Sequence, residues 1–196
     1  RLFVADNGSF RAKERLRASV ARQLGPDDRV LDMYAGGGRL YEACWSRVRG
    51  AACDINEVRA REAAITRPEW AVAMGDSVRL VAAGWLKAVP FRVVDIDSWG
   101  APWSALHAWC ASDRERAPVT TLFLTDGYRK VMQATKPLEI FWGSSDPRPM
   151  CAAEYERQML ALLAKWGTLA RVDLRLDRQR HDASMWLYEL AAKRLS

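Results

Sequence analysis

The stretch "VLDMYAGGGRL", residues 30–40, decides the fold. An apolar run ends in Asp32, three glycines follow, and the amphipathic segment "RLYEACWSRV" (39–48) begins at once. That order reads as a buried strand over 29–34, a sharp turn and a helix. The pattern then repeats. "AACDI" (51–55), "WAVAMGD" (70–76), "FRVVDID" (91–97) and "VTTLFLTD" (119–126) read as strands, with helices over "NEVRAREAA" (56–64), about 77–88 and about 102–114 between them. Alternation of this kind builds βαβ units and an open parallel sheet with helices on both faces.

The two ends of the chain complete the plan. Upstream, Ser9 is placed to cap a helix in which Leu16, Val20 and Leu24 recur at i, i+4 and i+8, and Gly25-Pro26 stops it. Its other face carries Lys13, Arg15, Arg17 and Arg22, a pattern that fits a solvated face or a nucleic-acid surface. Downstream, Tyr155, Met159, Leu163 and Trp166 mark a helix over about 151–166, with Gly167 as its stop. Two strand-like runs follow, "TLARVDLRL" (168–176) and "SMWLYELAA" (184–192), joined by the polar "DRQRHDA". A connection that short forces them to pair antiparallel, since a parallel crossover takes a dozen or more residues. The expected fold is α/β: a Rossmann-like, seven-stranded, mostly parallel sheet with helices on both faces and a C-terminal antiparallel β-hairpin. One domain is expected, with a helical segment over 1–27 and the core over 28–196.

Composition bounds the partners. The 196 residues suit one hydrophobic core, and 49% apolar with 28% charged residues is ordinary for a folded chain. No apolar run approaches the roughly 20 residues of a membrane helix, so no membrane partner is expected. The chain starts at Arg1 without Met and shows no secretory apolar segment, which points to upstream residues and a cytoplasmic setting. Cys44, Cys53, Cys110 and Cys151 form no C-x-x-C pair and sit in apolar patterns, as buried thiols do in a reducing compartment. A net charge of +6 favours anionic partners, nucleic acid above all, although a genome-wide bias towards Arg gives the same balance.

The glycine turn admits three ligands. A phosphate-binding P-loop requires Lys-Ser or Lys-Thr after the last glycine, and Arg39-Leu40 stands there instead. A dinucleotide site requires a third small residue where Tyr41 falls, and Tyr would hold helix and strand apart. S-adenosylmethionine has no pyrophosphate and needs only a sharp turn with acids placed for its polar ends. Asp32, ending the first strand, suits its amino group. Asp54, 22 residues on and beside Ile55, suits its ribose hydroxyls. Asp76 and Ser77, after the third strand, suit its adenine amine, while Asp76 equally fits a helix cap.

In order, "VLDMYAGGG", "CDIN", "MGDS" and "VVDID" resemble the motif series of class I S-adenosylmethionine-dependent methyltransferases over residues 28–127. The terminal hairpin is similar to that fold's antiparallel seventh strand. The stretch after the fourth strand, "DIDSWGAPW" (95–103), is similar to the "DxDPFGSP" of the tRNA N2,N2-guanosine dimethyltransferases, and "LTDG" (124–127) to a segment after that family's fifth strand. The resemblance implies S-adenosylmethionine as cofactor, held by Arg11, Asp32, Gly36, Gly38, Asp54, Ile55, Asp76, Ser77 and Asp95. It also implies nucleic acid as partner and a base amine of RNA, tRNA guanosine-like, or of DNA as acceptor, with RNA favoured over DNA. Asp95 is expected to point away from Asp97 or into the strand end, and to serve cofactor or structure.

The chemistry of the acceptor site follows from the residues. An exocyclic base amine is a poor nucleophile because its lone pair is delocalised, so a carboxylate accepting its N–H bonds is needed to take up the developing charge. Asp97 is the candidate, and Trp99 is placed to stack on an unpaired base, worth roughly 1–3 kcal/mol. The sequence departs from the family where Ser98 replaces Pro and Trp99 replaces Phe, and it is too short for that family's additional C-terminal domain. Two alternatives stay open: a methyltransferase-like binding module without activity, and a methyltransferase acting on a small molecule or protein. His107 and His181 fit a helix and a hairpin loop rather than catalysis, and no metal constellation stands out.

Overall fold

In the computed structural model, residues 9–98, 100–127, 129, 151–182 and 185–195 are described. Seven strands form one sheet: β1 (Arg29–Asp32), β2 (Arg49–Asp54), β3 (Trp70–Met74), β4 (Val93–Ile96), β5 (Val119–Asp126), β6 (Val172–Asp182) and β7 (Met185–Arg194). Their order is β3-β2-β1-β4-β5-β7-β6. The first five run parallel, and β7 pairs antiparallel with both β5 and β6, so the expected hairpin is present. The helices are α1 (Phe10–Ala21), α2 (Glu57–Thr66), α3 (Ser77–Ala82), α4 (Trp103–Ala111) and α5 (Ala152–Ala170).

Strand side chains alternate between two apolar layers. On one face Leu31, Val94, Ile96, Leu122 and Leu124 pack with Trp103, Leu106, Met159 and Leu163 of α4 and α5. On the other, Val30, Val93 and Phe123 pack with Leu16 and Val20 of α1 and with Trp45. The N-terminal helix is therefore a layer of the core. Each fully buried Leu or Phe contributes about 1.5–3 kcal/mol relative to leaving it in water.

Several boundaries differ from the sequence reading, each with a local cause. The helix expected over 39–48 contains a π-helical turn at Tyr41–Trp45, a wider winding that occurs mostly near functional sites. Helix α3 ends at Ala82, after which Gly84 and Leu86 take positive φ. Gly167 does not stop α5. The helix passes through it because a Cβ there would lie 2.9 Å from the Val172 carbonyl oxygen and 3.1 Å from the Leu174 side chain, so glycine lets β6 approach. Termination falls to Arg171, in the left-handed region at φ 55°. Ser9 precedes α1 without a side-chain cap, its hydroxyl donating to Met185 Sδ at 3.4 Å. His181 belongs to β6 and stacks on Trp186.

Candidate functional site

Sheet order reverses between β1 and β4, which run from the same edge in opposite crossover directions, and in open α/β sheets ligands bind outside the carboxyl ends of the strands at that switch point. The glycine turn lies there. Gly36 and Gly38 adopt φ of 52° and 78°, conformations that carry a steric cost for any residue with a Cβ. The turn is folded onto the end of β2: Asp54 Oδ2 accepts the Gly36 N–H at 2.9 Å and Oδ1 the Asn56 N–H at 2.8 Å. An ionised carboxylate has about four acceptor positions, so Asp54 keeps capacity for further donors. Beside it Ile55 and Met74 are exposed, 73% and 60%, and present apolar surface at the ends of β2 and β3.

The acid after β3 has a local role. Asp76 caps α3, its Oδ1 accepting the Arg79 N–H at 3.0 Å, and Ser77 is buried in a hydrogen bond with the Tyr34 hydroxyl. Burial raises the Tyr34 pKa, and the Ser77 bond opposes that rise.

Three further acids converge on the switch point, and each has a basic partner that the sequence reading did not assign. Asp32 and Asp95 are opposite each other on β1 and β4, where like charges repel. Arg67 Nη1 donates to Asp32 Oδ2 at 2.8 Å and its Nη2 to the Ala35 carbonyl at 3.0 Å, while the guanidinium lies over the Tyr41 and Trp70 rings. Asp32 is thus already engaged where a free carboxylate was expected. Burial pushes its carboxyl up to about 6, with Arg67 opposing and Asp95 adding to the shift. Asp95 receives Arg17 through Nε at 2.7 Å and Nη2 at 2.6 Å, plus the Trp45 indole N–H at 3.0 Å. At 1% exposure, with three donors, it anchors α1 to the end of β4.

Asp97 faces Lys13, whose Nζ lies 3.0 Å from Oδ2 and 2.7 Å from Oδ1. The bond to Oδ2 is directed; Oδ1 is within ion-pair distance but off the hydrogen-bond line. Lys13 and Arg17 are four apart on α1, a rise of about 6 Å, and Asp95 on β4 and Asp97 just past its end are two apart, about 6.6 Å in extended chain. The equal spacings make a two-rung ladder. The expectation that Asp95 and Asp97 point apart is therefore corrected: both meet α1. The basic face of that helix is not simply solvated either, since Lys13 and Arg17 are 7% and 0% exposed. Arg11 is exposed on the same helix.

The loop after Asp97 is held by β5. Ser98 is buried and its hydroxyl donates to the Thr125 carbonyl at 3.4 Å, and the Gly127 N–H donates to the Gly100 carbonyl at 2.9 Å. Ser98 thus supplies a hydroxyl anchor for the loop. Trp99 lies outside the described residues. Asp126, fully buried at the end of β5, accepts the Tyr155 hydroxyl and the Arg129 N–H, the latter at 3.1 Å. Burial, then Asp126, raises the Tyr155 pKa and keeps the phenol protonated. Among the cysteines, burial pushes Cys44 up to about 11 and Cys53 and Cys110 up to about 12, so none is a thiolate near neutrality. Cys151 is exposed, contrary to the expectation of four buried thiols. Among the described residues there is no metal-ligand cluster, and no helix is long and apolar enough to cross a membrane.

No protein-family pattern matches the chain, and no curated protein is similar to it in sequence. Solved structures are similar in fold. Trm1 from Pyrococcus horikoshii, in complex with S-adenosyl-L-methionine, superposes with a TM-score of 0.68 at 13% identity over 96% of this chain and 56% of that one. An O-methyltransferase from Bacillus cereus in complex with SAH gives 0.60 at 15% identity, over 95% and 82% of the two chains. A SAM-dependent methyltransferase from Methanosarcina mazei gives 0.59 at 14%, over 91% and 98%. The chain has the class I methyltransferase fold. It spans little more than half the length of the Trm1 chain.

The site's residues fit a bound S-adenosylmethionine in part. The Cβ-free turn, the spare acceptor capacity of Asp54 and the exposed apolar surface of Ile55 and Met74 suit a backbone-hugging ligand with vicinal hydroxyls and an aromatic base. Asp32 and Asp95 are taken by arginines.

Proposed function

We propose that the chain is a methyltransferase that transfers a methyl group from S-adenosylmethionine to a base amine of RNA, a guanosine in a tRNA-like setting. The observation that carries this reading is the pairing, at the switch point, of the Gly36–Gly38 turn seated on Asp54 with a partly open carboxylate, Asp97, at the end of β4. Asp54 receives the ribose hydroxyls, and Ile55 and Met74 flank the adenine. Arg11, on the exposed side of α1, is proposed to meet the cofactor carboxylate. When bound, the cofactor supplies a sulfonium methyl whose C–S bond breaks, its electron pair left on sulfur, as the acceptor nitrogen forms the C–N bond. Asp97 accepts an N–H of the acceptor amine, orients its lone pair and receives the proton that the nitrogen loses. Trp99 is proposed to stack on the target base. RNA rests on the likeness of "DIDSWGAPW" to the tRNA dimethyltransferase pattern, and a cytoplasmic setting is proposed from four cysteines without C-x-x-C pairing.

A ligand that binds only the folded state at 100 times its Kd stabilises it by about 2.7 kcal/mol, which for a chain of this size raises Tm by about 5–11 °C. The expected outcome is that rise with S-adenosylmethionine or S-adenosylhomocysteine and none with NAD. The reverse pattern would sink the proposal in favour of a dehydrogenase. One observation favours a second reading, a binding module without activity: Asp97 is ion-paired with Lys13. Labelled methyl transfer to extracts of RNA, DNA and protein separates the two, because a module labels no pool.

A further inference from the structure

We infer that Lys13 is a positioning residue of the methyl-transfer site: it holds the Asp97 carboxylate in place and aimed, and does not block it. The inference rests on the proposed role of Asp97 and extends it to a residue on α1, 84 positions earlier in the chain.

The two rungs of the α1–β4 ladder differ in the way this role requires. Asp95 takes three directed hydrogen bonds, from Arg17 Nε, Arg17 Nη2 and Trp45 Nε1, and its side chain is 2% exposed. Its acceptor capacity is largely used and it is sealed. Asp97 takes one directed bond, from Lys13 Nζ, and its side chain is 18% exposed. Oδ1 is buried against the Lys13 ammonium, so the capacity left for a further donor is at Oδ2, which takes only the one bond. Lys13, nearly buried itself, fixes the Asp97 side-chain rotamer from the side of α1. The charged groups facing Asp97 are Lys13 and Arg17 from the helix and Asp95 from its own strand, the last neutralised by Arg17. During transfer the new C–N bond forms as the C–S bond breaks. The proton lost by nitrogen goes to Asp97, and the Lys13 ammonium keeps its own three.

The test is steady-state methyl transfer to RNA by the full chain, comparing wild type with Lys13→Met, Lys13→Gln, Lys13→Arg, Asp97→Asn, the double variant Lys13→Met/Asp97→Asn, and Arg15→Ala as an exposed control on the same helix. Lys13→Met should lower kcat by about 10–100-fold with the KM for S-adenosylmethionine unchanged. Lys13→Arg should recover most of the rate, and Lys13→Met should cost nothing further on the Asp97→Asn background. Lys13→Gln, close in shape and uncharged, should behave as Lys13→Met and serves if that variant does not fold. Wild-type kcat in either uncharged variant, a loss equal in kcat and donor KM that Arg15→Ala shares, or additive losses in the double variant would overturn the inference. Transfer by wild type with wild-type rates in Lys13→Met removes this inference alone. No transfer by wild type removes the methyltransferase reading with it.

Discussion

Replacing Arg17 by Met removes a guanidinium that is 0% exposed and leaves Asp95, at 1% exposure, with only the Trp45 indole N–H as a donor. Burial alone would lower the Arg17 pKa, and Asp95 more than offsets it, so the guanidinium stays charged in the folded chain. Breaking one partner of such a pair costs about 3–5 kcal/mol because the survivor's charge stays buried and uncompensated. At about 2–4 °C per kcal/mol for a chain of this length, Tm should fall by about 6–20 °C. The guanidinium carbon lies over Phe123, 5.1 Å from the ring centroid, and Met retains an apolar side chain there. The assay is urea unfolding of wild type, Arg17→Met and the double variant Arg17→Met/Asp95→Leu, followed by circular dichroism and by thermal melts. The double variant replaces the pair by apolar groups of similar volume and should return to within about 1–2 kcal/mol of wild type or exceed it. A single-variant loss below about 1 kcal/mol, or a double variant as unstable as the single, would refute the ladder that fixes α1 against β4 and with it the placement of Lys13 beside Asp97.

Other expectations follow from the same geometry. Because the Asp32 carboxyl is pushed up to about 6 in the folded chain, above its ordinary 3.8, the folded state holds a proton that the unfolded state has released between about pH 4 and 6. The contribution of this group to stability therefore falls as pH rises through that window, by at most roughly 3 kcal/mol, and Asp32→Asn should flatten the slope in pH-dependent denaturation. A steeper slope in the variant would contradict the assignment. Gly38→Ala places a Cβ at φ 78° and should cost about 1–2 kcal/mol in thermal unfolding, whereas an unchanged Tm would show that the turn is not left-handed there. Asp54→Ala removes the acceptor that seats the turn and is proposed to hold the ribose, so calorimetry should show S-adenosylmethionine binding weakened by about tenfold or more.

The layout of the sheet was legible because each strand is a short apolar run and each βα turn carries its own local chemistry: Asp32 before the glycines, Asn56 and Asp76 at helix caps. The hairpin followed from connection length alone. Helix boundaries were less legible, since Gly167 means a stop in local terms and a close approach to β6 in tertiary ones. The ionic partners of the site were not legible at all. Arg17 and Asp95 are 78 residues apart, Lys13 and Asp97 84, and Arg67 and Asp32 35, so nothing local marks them. One signal was available: an i,i+4 basic pair on an amphipathic helix and an i,i+2 acidic pair at a strand end have matching lengths. Only knowledge that α1 lies on β4 turns that match into a contact.

The proposed methyl transfer to a base amine stands on Asp97 as the group that orients the acceptor. The direct measurement is incubation of the full chain with S-adenosylmethionine carrying an isotopically labelled methyl group and unmodified RNA, followed by nuclease digestion and mass analysis of the nucleosides, in parallel for wild type and Asp97→Asn. The predicted result is a labelled methyl on the exocyclic amine of guanosine with wild type, and its loss by at least about a hundredfold in Asp97→Asn. Label on an oxygen or ring carbon, equal labelling by the two proteins, or no labelled nucleoside with wild type would contradict it.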